Sequence, residues 1–203
     1  MKKYTIALMM VFFAVASSFQ AMAQMGKRTY SNLGWQYNAP IANDFVTHAS
    51  GYGAYYQGGY YLTPSIAVGG FLSYNTNNQY IPTKTYWFED GSALTTDLDH
   101  SLFQVPFGAT FRYRFMRTMF QPYFEAKVGA VYSTQSLYFS TFMSEYSNWG
   151  FYVSPELGFT VYPFYKQDFG FHLAIYYSYS TNRNGDFDLN GLNNIGFKLG
   201  IAF

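Results

Sequence analysis

Apolar and polar residues alternate along most of this chain. The clearest run covers residues 102–115, where Phe103, Val105 and Phe107 begin an apolar set that is interleaved with polar or small residues. A period of two predicts β-strands with one apolar face. The sequence predicts eight such strands, at residues 29–38, 51–62, 66–74, 102–115, 122–135, 149–162, 169–180 and 193–203.

The connections between these segments support the same count. Four are long (39–50, 75–101, 136–148 and 181–190) and alternate with three short ones (63–65, 116–121 and 163–168). Short turns at one end and long loops at the other, with an even number of strands, are typical of an antiparallel up-and-down β-barrel that crosses a membrane. We therefore predict an all-β, eight-stranded antiparallel transmembrane barrel.

The amino terminus has the features of an export signal. Lys2 and Lys3 precede an apolar stretch at 6–16, and the small-residue site Ala-Met-Ala at 21–23 precedes Gln24. This arrangement predicts a cleaved signal peptide at 1–23 and a barrel domain at 24–203. The chain has no cysteine, which excludes a disulfide framework and a lipid anchor on a terminal cysteine.

Composition is unusual for a protein in water. Aromatic residues make up 23% of the chain and charged residues 11%, whereas soluble domains carry about 25% charged residues. The formal net charge of +1 gives no basic field that would suggest a nucleic-acid partner. Tyr and Trp near the segment ends suit the aromatic girdles of a membrane barrel.

At its carboxyl end the chain resembles the small eight-stranded outer-membrane β-barrels of the OmpX and OmpA-barrel type. The assembly signal of that family is a polar residue, a glycine and two spaced hydrophobic residues near an aromatic terminus, which here are Asn194, Gly196, Leu199, Ile201 and Phe203. The resemblance implies an outer-membrane location, contact with outer-membrane lipid and lipopolysaccharide, and a transient encounter with the barrel-assembly machinery. It implies no cofactor.

Charged residues are expected inside the barrel. Eight strands leave an interior that side chains just fill, and charges removed from water must pair. We expect a structural ion network near the ends of the strands that border the short connections. Its predicted members are Arg112, Arg114, Glu125, Lys127, Glu156, His172 and Lys198.

The alternatives to a structural role are an enzyme and a soluble carrier. His48 and Ser50 are two residues apart at the predicted start of the second strand, which would place them on one face near the extracellular mouth, as a lipid A acyl hydrolase would need. The spacing of the histidines predicts no metal site. A secreted lipocalin-like barrel would show the same alternation with the faces inverted.

The long second loop is the stronger functional lead. Asp90 and Gly91 form a hairpin signal between two alternating stretches, so we predict that the third and fourth strands continue above the membrane as a protruding hairpin. Tyr86, Trp87 and Phe88 on that hairpin are candidates for binding an extracellular partner, through aromatic anchors or by strand addition. The predicted function is thus structural or surface interaction, without catalysis.

Overall fold

The computed structural model describes residues 28–41, 45–87, 91–139, 142–163, 169–184 and 189–203. These residues form eight strands, and no helix among them is long and apolar enough to cross a membrane. The strands are β1 Thr29–Ile41, β2 Tyr52–Tyr61, β3 Ile66–Trp87, β4 Ala93–Arg114, β5 Phe120–Phe139, β6 Phe142–Val161, β7 Gly170–Asn184 and β8 Leu189–Ala202. The predicted signal peptide at 1–23 lies outside the described residues.

The strands pair in sequence order and close into one antiparallel barrel, which confirms the predicted fold class. Closure is made by β1 and β8, where the amide of Ser31 donates to the Phe203 carbonyl at 3.0 Å and the reverse bond measures 2.9 Å. We term the end that holds the β2–β3, β4–β5 and β6–β7 connections the lower end, and the opposite end the upper end.

The two faces of the barrel are those that the alternation predicts. Polar residues face inward and are buried, including Gln36, Gln57 and Ser73 of the first three strands. Apolar residues face outward and are exposed, and representatives are Leu33, Trp35, Val68, Phe107, Phe111, Val128, Leu157, Leu173, Ile175, Ile195, Leu199 and Ile201. The inverted arrangement of a lipocalin is therefore not favoured.

Two hairpins rise beyond the closed barrel at the upper end. The pairing of β2 with β3 ends at Tyr52 and Thr76, yet β3 and β4 stay paired as far as Trp87 and Ala93. This confirms the predicted protruding hairpin, and Gly91 at its tip has a positive φ of 80°. Asp90 lies outside the described residues.

The second hairpin corrects the prediction that 136–148 is a connecting loop. β5 and β6 remain paired up to Phe139 and Phe142. Alternation continues through this Ser- and Tyr-rich stretch, and the Thr134 and Ser147 hydroxyls bond across the pair at 3.0 Å. The predicted loop at 181–190 is shortened in the same way, because β7 extends to Asn184 and β8 begins at Leu189.

The seam between β1 and β8 contains a pair of facing glycines, Gly34 and Gly200. A Cβ placed on Gly34 would lie 2.5 Å from the Gly200 Cα, and a Cβ on Gly200 would lie 2.8 Å from the Gly34 Cα. The same Cβ on Gly200 would lie 2.6 Å from the Tyr55 hydroxyl. Close strand contact at this seam therefore depends on the absence of both side chains.

Candidate functional site: a filled polar interior

The lower interior is built around two buried carboxylates, of which the first is Glu125 on β5. Its Oε2 accepts from Arg112 Nε at 2.5 Å and from the Tyr30 hydroxyl at 3.3 Å. Its Oε1 lies 3.2 Å from Lys127 Nζ. Antiparallel pairing places Arg112 directly opposite Glu125 on the neighbouring strand, which is why these two inward positions meet.

The second carboxylate is Glu156 on β6. Its Oε2 accepts from Lys198 Nζ at 2.7 Å and also from Lys127. Its Oε1 accepts from the Tyr123 hydroxyl at 2.8 Å and from Gln57 Nε2 at 3.0 Å. Both oxygens are therefore fully engaged, as a buried carboxylate requires.

Lys127 joins the two carboxylates into one network, because its ammonium group contacts both Glu125 and Glu156. We term the five charged residues Arg112, Glu125, Lys127, Glu156 and Lys198 the ion network. All five side chains are at most 5% exposed.

His172 extends the network by a directed chain of hydrogen bonds. Its Nδ1 lies 2.5 Å from the Tyr55 hydroxyl, and its Nε2 contacts the Tyr123 hydroxyl. Because Tyr123 donates its proton to Glu156, its oxygen must accept from His172 Nε2–H. The His172 Nδ1 is within hydrogen-bond distance of the Tyr55 hydroxyl, which can donate to it or accept from it.

Arg112 is held by two aromatic rings as well as by Glu125. The guanidinium carbon lies 3.7 Å from the ring centroid of Tyr30 and 3.9 Å from that of Tyr123. Cation–π contact with two rings and the bond to Glu125 suit a planar guanidinium group, which can stack on aromatic faces and donate in its own plane at the same time.

Arg114 was predicted in the same network, but the structure places it apart at the lower rim. Its Nη1 donates to Gln121 Oε1 at 2.8 Å and its Nη2 donates to the Pro64 carbonyl at 2.6 Å. It also stacks over the ring of Tyr61, 3.9 Å from the centroid. Arg114 therefore ties the β2–β3 connection to the start of β5 and contacts no carboxylate among the described residues.

The upper interior is filled by neutral amides. Asn194 Nδ2 donates to Gln104 Oε1 at 3.3 Å, and Asn75 donates to the same oxygen at 3.0 Å. Asn38 donates to Asn77 at 2.8 Å and to Asn194 at 3.2 Å. We term these five residues the amide layer. No formal charge is present in it, in contrast to the ion network below.

The catalytic candidates His48 and Ser50 do not lie on one face of a strand. β2 begins at Tyr52, so His48 lies in irregular chain and alternation does not place it on one face with Ser50. The Ser50 hydroxyl accepts from the Tyr52 amide at 3.1 Å, and the His48 side chain is exposed.

The remaining predicted residues fall into two groups. Of the assembly-signal residues, Asn194 faces the lumen, whereas Leu199, Ile201 and Phe203 are exposed. The backbone of Tyr86 and Trp87 lies at the end of β3, and Phe88 lies outside the described residues. Among the described residues, no group of three or more His, Asp or Glu side chains could hold a metal ion.

Sequence reasoning missed the inward tyrosines. Tyr30, Tyr55 and Tyr123 are 2–3% exposed and bond to the ion network or to His172, although tyrosine near a strand end suggested an outer girdle. Position along the strand could have shown that these tyrosines face inward. Each of these tyrosines is an even number of residues from a buried polar residue on its own strand, such as Gln57 for Tyr55.

A closed eight-stranded barrel with an apolar exterior and a filled, hydrogen-bonded interior is the architecture of the small outer-membrane β-barrels. No protein-family model matches the chain, and no curated protein matches it either.

Solved structures of low sequence identity match the fold. The Neisserial surface protein A is 11% identical with a TM-score of 0.56, covering 87% of this chain and 96% of that one. The outer membrane protease OmpT of Escherichia coli is 8% identical with a TM-score of 0.50, covering 88% and 97%. The attachment invasion locus protein Ail of Yersinia pestis, in complex with sucrose octasulfate, is 15% identical with a TM-score of 0.46, covering 87% and 99%. At these identities the likeness concerns the fold alone.

Proposed function

We propose that this protein is an integral barrel of the bacterial outer membrane that acts as a structural and surface-interaction protein. The exposed apolar exterior supports the membrane location, since such a surface faces lipid in barrels of this type. The same exterior would contact outer-membrane lipid and lipopolysaccharide. The Asn194 to Phe203 strand would be the part recognised by the barrel-assembly machinery, as the resemblance implies.

The observation that carries the interaction role is the sheet above the barrel. Strands β3, β4, β5 and β6 stay paired with one another beyond the last pairs that β3 makes with β2 and β6 makes with β7. This gives an open sheet with two edges. Large side chains are exposed on it: Tyr80, Tyr138, Met143 and Tyr146.

One edge is more open than the other. The β3 edge is partly covered, since Asn77 donates to the His48 carbonyl and Gln79 accepts from the Thr47 amide. The β6 edge has one such contact, at Asn148, whose carbonyl accepts from Asn182 Nδ2 at 3.3 Å. Among the described residues, β6 residues 142–147 pair with β5 and with no strand on the other side. Open edges are sites for strand addition by another polypeptide, so β6 is the favoured docking edge in this proposal.

We propose a non-enzymatic role, although the protease OmpT shows that the barrel fold is compatible with catalysis. The exposed position of His48 and the engaged hydroxyl of Ser50 do not form the hydrogen-bonded nucleophile and base that acyl transfer needs. Expression of the wild-type chain should therefore leave the lipid A mass spectrum unchanged, and a new lipid A species lost in Ser50→Ala would contradict this.

The surface-interaction role can be tested with a variant that lacks the sheet above the barrel, which we term the trimmed chain. Replacing residues 78–101 with Asn-Gly would join Asn77 to Leu102, which already face each other, by a two-residue turn. Replacing 135–146 with Asn-Gly would do the same for Thr134 and Ser147. Both changes remove the sheet and retain the closed barrel.

Cells lacking the protein would be complemented with the wild-type or the trimmed chain. We expect both chains to appear in the outer-membrane fraction and to shift on a denaturing gel when heated, as folded barrels do. Only the wild-type chain should restore adherence of cells to plates coated with a serum protein film. Equal adherence by the two chains would overturn the interaction role, and absence of both from the membrane fraction would overturn the location.

A further inference from the structure

The short connection between β4 and β5 presents apolar side chains at the lower end of the barrel. We term residues 115–120 the lower turn. Phe115, Met116, Met119 and Phe120 are all exposed, by 44–56%. The ring of Phe115 packs edge-on against that of Tyr113, an outward residue of β4, with centroids 5.3 Å apart. The apolar exterior of the barrel therefore continues onto the lower turn.

Hydrogen bonds hold the lower turn in place. The Phe115 amide donates to the Pro122 carbonyl at 3.0 Å. The Thr118 hydroxyl donates to the Phe120 carbonyl at 2.7 Å, and the Thr118 carbonyl accepts from Gln121 Nε2 at 3.0 Å. A turn that is already ordered loses little conformational freedom when it binds a ligand.

Arg117 lies at the tip of the lower turn. Its side chain is exposed and makes no hydrogen bond or ion pair within the described part of the chain. Two further arginines at this end also lack a carboxylate. Arg114 bonds to neutral groups, and the exposed Arg28 makes one long contact of 3.5 Å, from its Nη1 to the Tyr60 hydroxyl. The lower rim therefore carries positive charge that no described Asp or Glu side chain neutralises.

The upper hairpins carry the opposite charge. Their exposed charged residues, as far as the structure describes them, are Lys84, Asp97, Asp99 and Glu145, which are one cation and three carboxylates. The exposed charged residues described at the lower end are both arginines. The two ends therefore attract partners of different charge, and a negatively charged partner is favoured at the lower end.

We propose that the lower turn binds an anionic phospholipid of the periplasmic leaflet, with Arg117 on the headgroup phosphate and the four exposed apolar side chains against the acyl chains. The short turns of such barrels lie on the periplasmic side, and aromatic residues mark the level of the headgroups. A guanidinium group binds phosphate through paired hydrogen bonds. A free anion would leave the apolar side chains without a partner. The proposal rests on the membrane location and is independent of the binding role of the upper sheet.

Lipid retention tests this site. The wild-type chain, Arg117→Gln and Lys84→Gln are folded into vesicles of phosphatidylglycerol and phosphatidylcholine in equal parts, with identical acyl chains. A heat-dependent gel shift verifies that each chain has folded. The barrels are then extracted in a mild neutral detergent, and native mass spectrometry gives the ratio of the two lipids that stay bound. Lys84→Gln is the matched control, because it removes one exposed cation from an upper hairpin.

We expect the wild-type chain to retain phosphatidylglycerol in preference to phosphatidylcholine. Arg117→Gln should lower the ratio about fivefold, because one arginine near an anionic membrane surface contributes a preference of that size. Lys84→Gln should give the wild-type ratio. Equal retention of the two lipids by the wild-type chain, or an equal loss in both variants, would overturn the proposed site.

Two further measurements separate a lipid from a free anion. Met116→Ser/Met119→Ser retains Arg117 but removes two exposed apolar side chains, and should lower the amount of bound phosphatidylglycerol several-fold. Soluble glycerol phosphate should not displace the lipid, and displacement would show a site for free anions instead. A barrel that folds without a preference for phosphatidylglycerol contradicts this site alone, whereas a wild-type chain that does not fold into vesicles contradicts the membrane location.

Discussion

The lower and upper halves of the barrel interior are filled by different chemistry. The lower half contains the ion network, in which three cations share two carboxylates. The upper half contains the neutral amide layer and the buried apolar cluster of Phe45, Val46, Leu102 and Leu192. The two halves differ in what a single substitution leaves behind. In the lower half it leaves an unpaired buried charge, whereas in the upper half the amides that lose a partner keep a second one.

The largest effect should come from Glu156→Gln. This change removes the charge that Lys127 and Lys198 share, and leaves three cations with one carboxylate in a buried site. We expect the free energy of unfolding to fall by about 3–5 kcal/mol. Urea unfolding of the barrel folded into lipid vesicles measures it. The matched control is Glu145→Gln on the exposed part of β6, and equal midpoints for the two variants would contradict the prediction.

A second substitution should recover part of that loss. Adding Lys198→Met to Glu156→Gln removes one of the cations that the first change left unpaired. The double variant should be about 1–3 kcal/mol more stable than Glu156→Gln alone. The same vesicle assay in a double-mutant cycle gives the coupling energy. Simple additivity of the two single variants would show that the network does not act as a unit.

In the amide layer the effect should be smaller. Asn194→Ala removes one donor to Gln104 and one acceptor for Asn38, but both keep another amide partner. We expect a loss of about 1–2 kcal/mol in the free energy of unfolding. Asn78→Ala on the exposed hairpin is the control. A loss as large as that of Glu156→Gln would remove the distinction between the two halves.

The smallest effect is expected above the barrel, where water surrounds the charges. The Asp97 carboxylate raises the pKa of the Tyr80 phenol, which donates a hydrogen bond to it at 3.3 Å. Asp97→Asn should therefore lower the pKa of Tyr80 and leave the unfolding midpoint unchanged. A ¹³C-tyrosine NMR titration, with Tyr80→Phe to assign the signal, reports the pKa. An unchanged titration would show that Asp97 exerts no field on Tyr80.

The direction of most side chains, outward or inward, could be predicted by counting alternate residues along each strand. Because successive strand residues point to opposite faces, the alternation around Phe107 predicts the outward set, and the same counting predicts that Arg112, Glu125 and Lys198 face inward. This counting does not predict which residues an inward side chain contacts, however. The separation of Arg114 from the ion network depends on the Pro64 turn, a contact between distant parts of the sequence.

Other features were hidden for physical reasons of their own. Phe45 and Val46 resemble ordinary loop residues, since only the tertiary structure shows that the β1–β2 connection folds into the mouth. The β5–β6 hairpin is not detected by a search for apolar alternation, because beyond Ser136 its described side chains are exposed or half-buried and none forms an apolar buried face. Tyr55 and Tyr123 were hidden because a tyrosine satisfies an interior and an interface equally well.

The facing glycines of the β1–β8 seam constrain how this sequence can change over generations. At most contacts, a larger residue can become acceptable after its neighbour has become smaller. At Gly34 and Gly200 that route is closed, because the nearest obstacle to each new side chain is backbone of the opposite strand, the Leu199 carbonyl oxygen at 2.2 Å and the Leu33 carbonyl oxygen at 2.3 Å. In a library of random variants selected for a folded barrel, we expect glycine to be retained at both positions. The protruding β3–β4 and β5–β6 hairpins should accept many different residues.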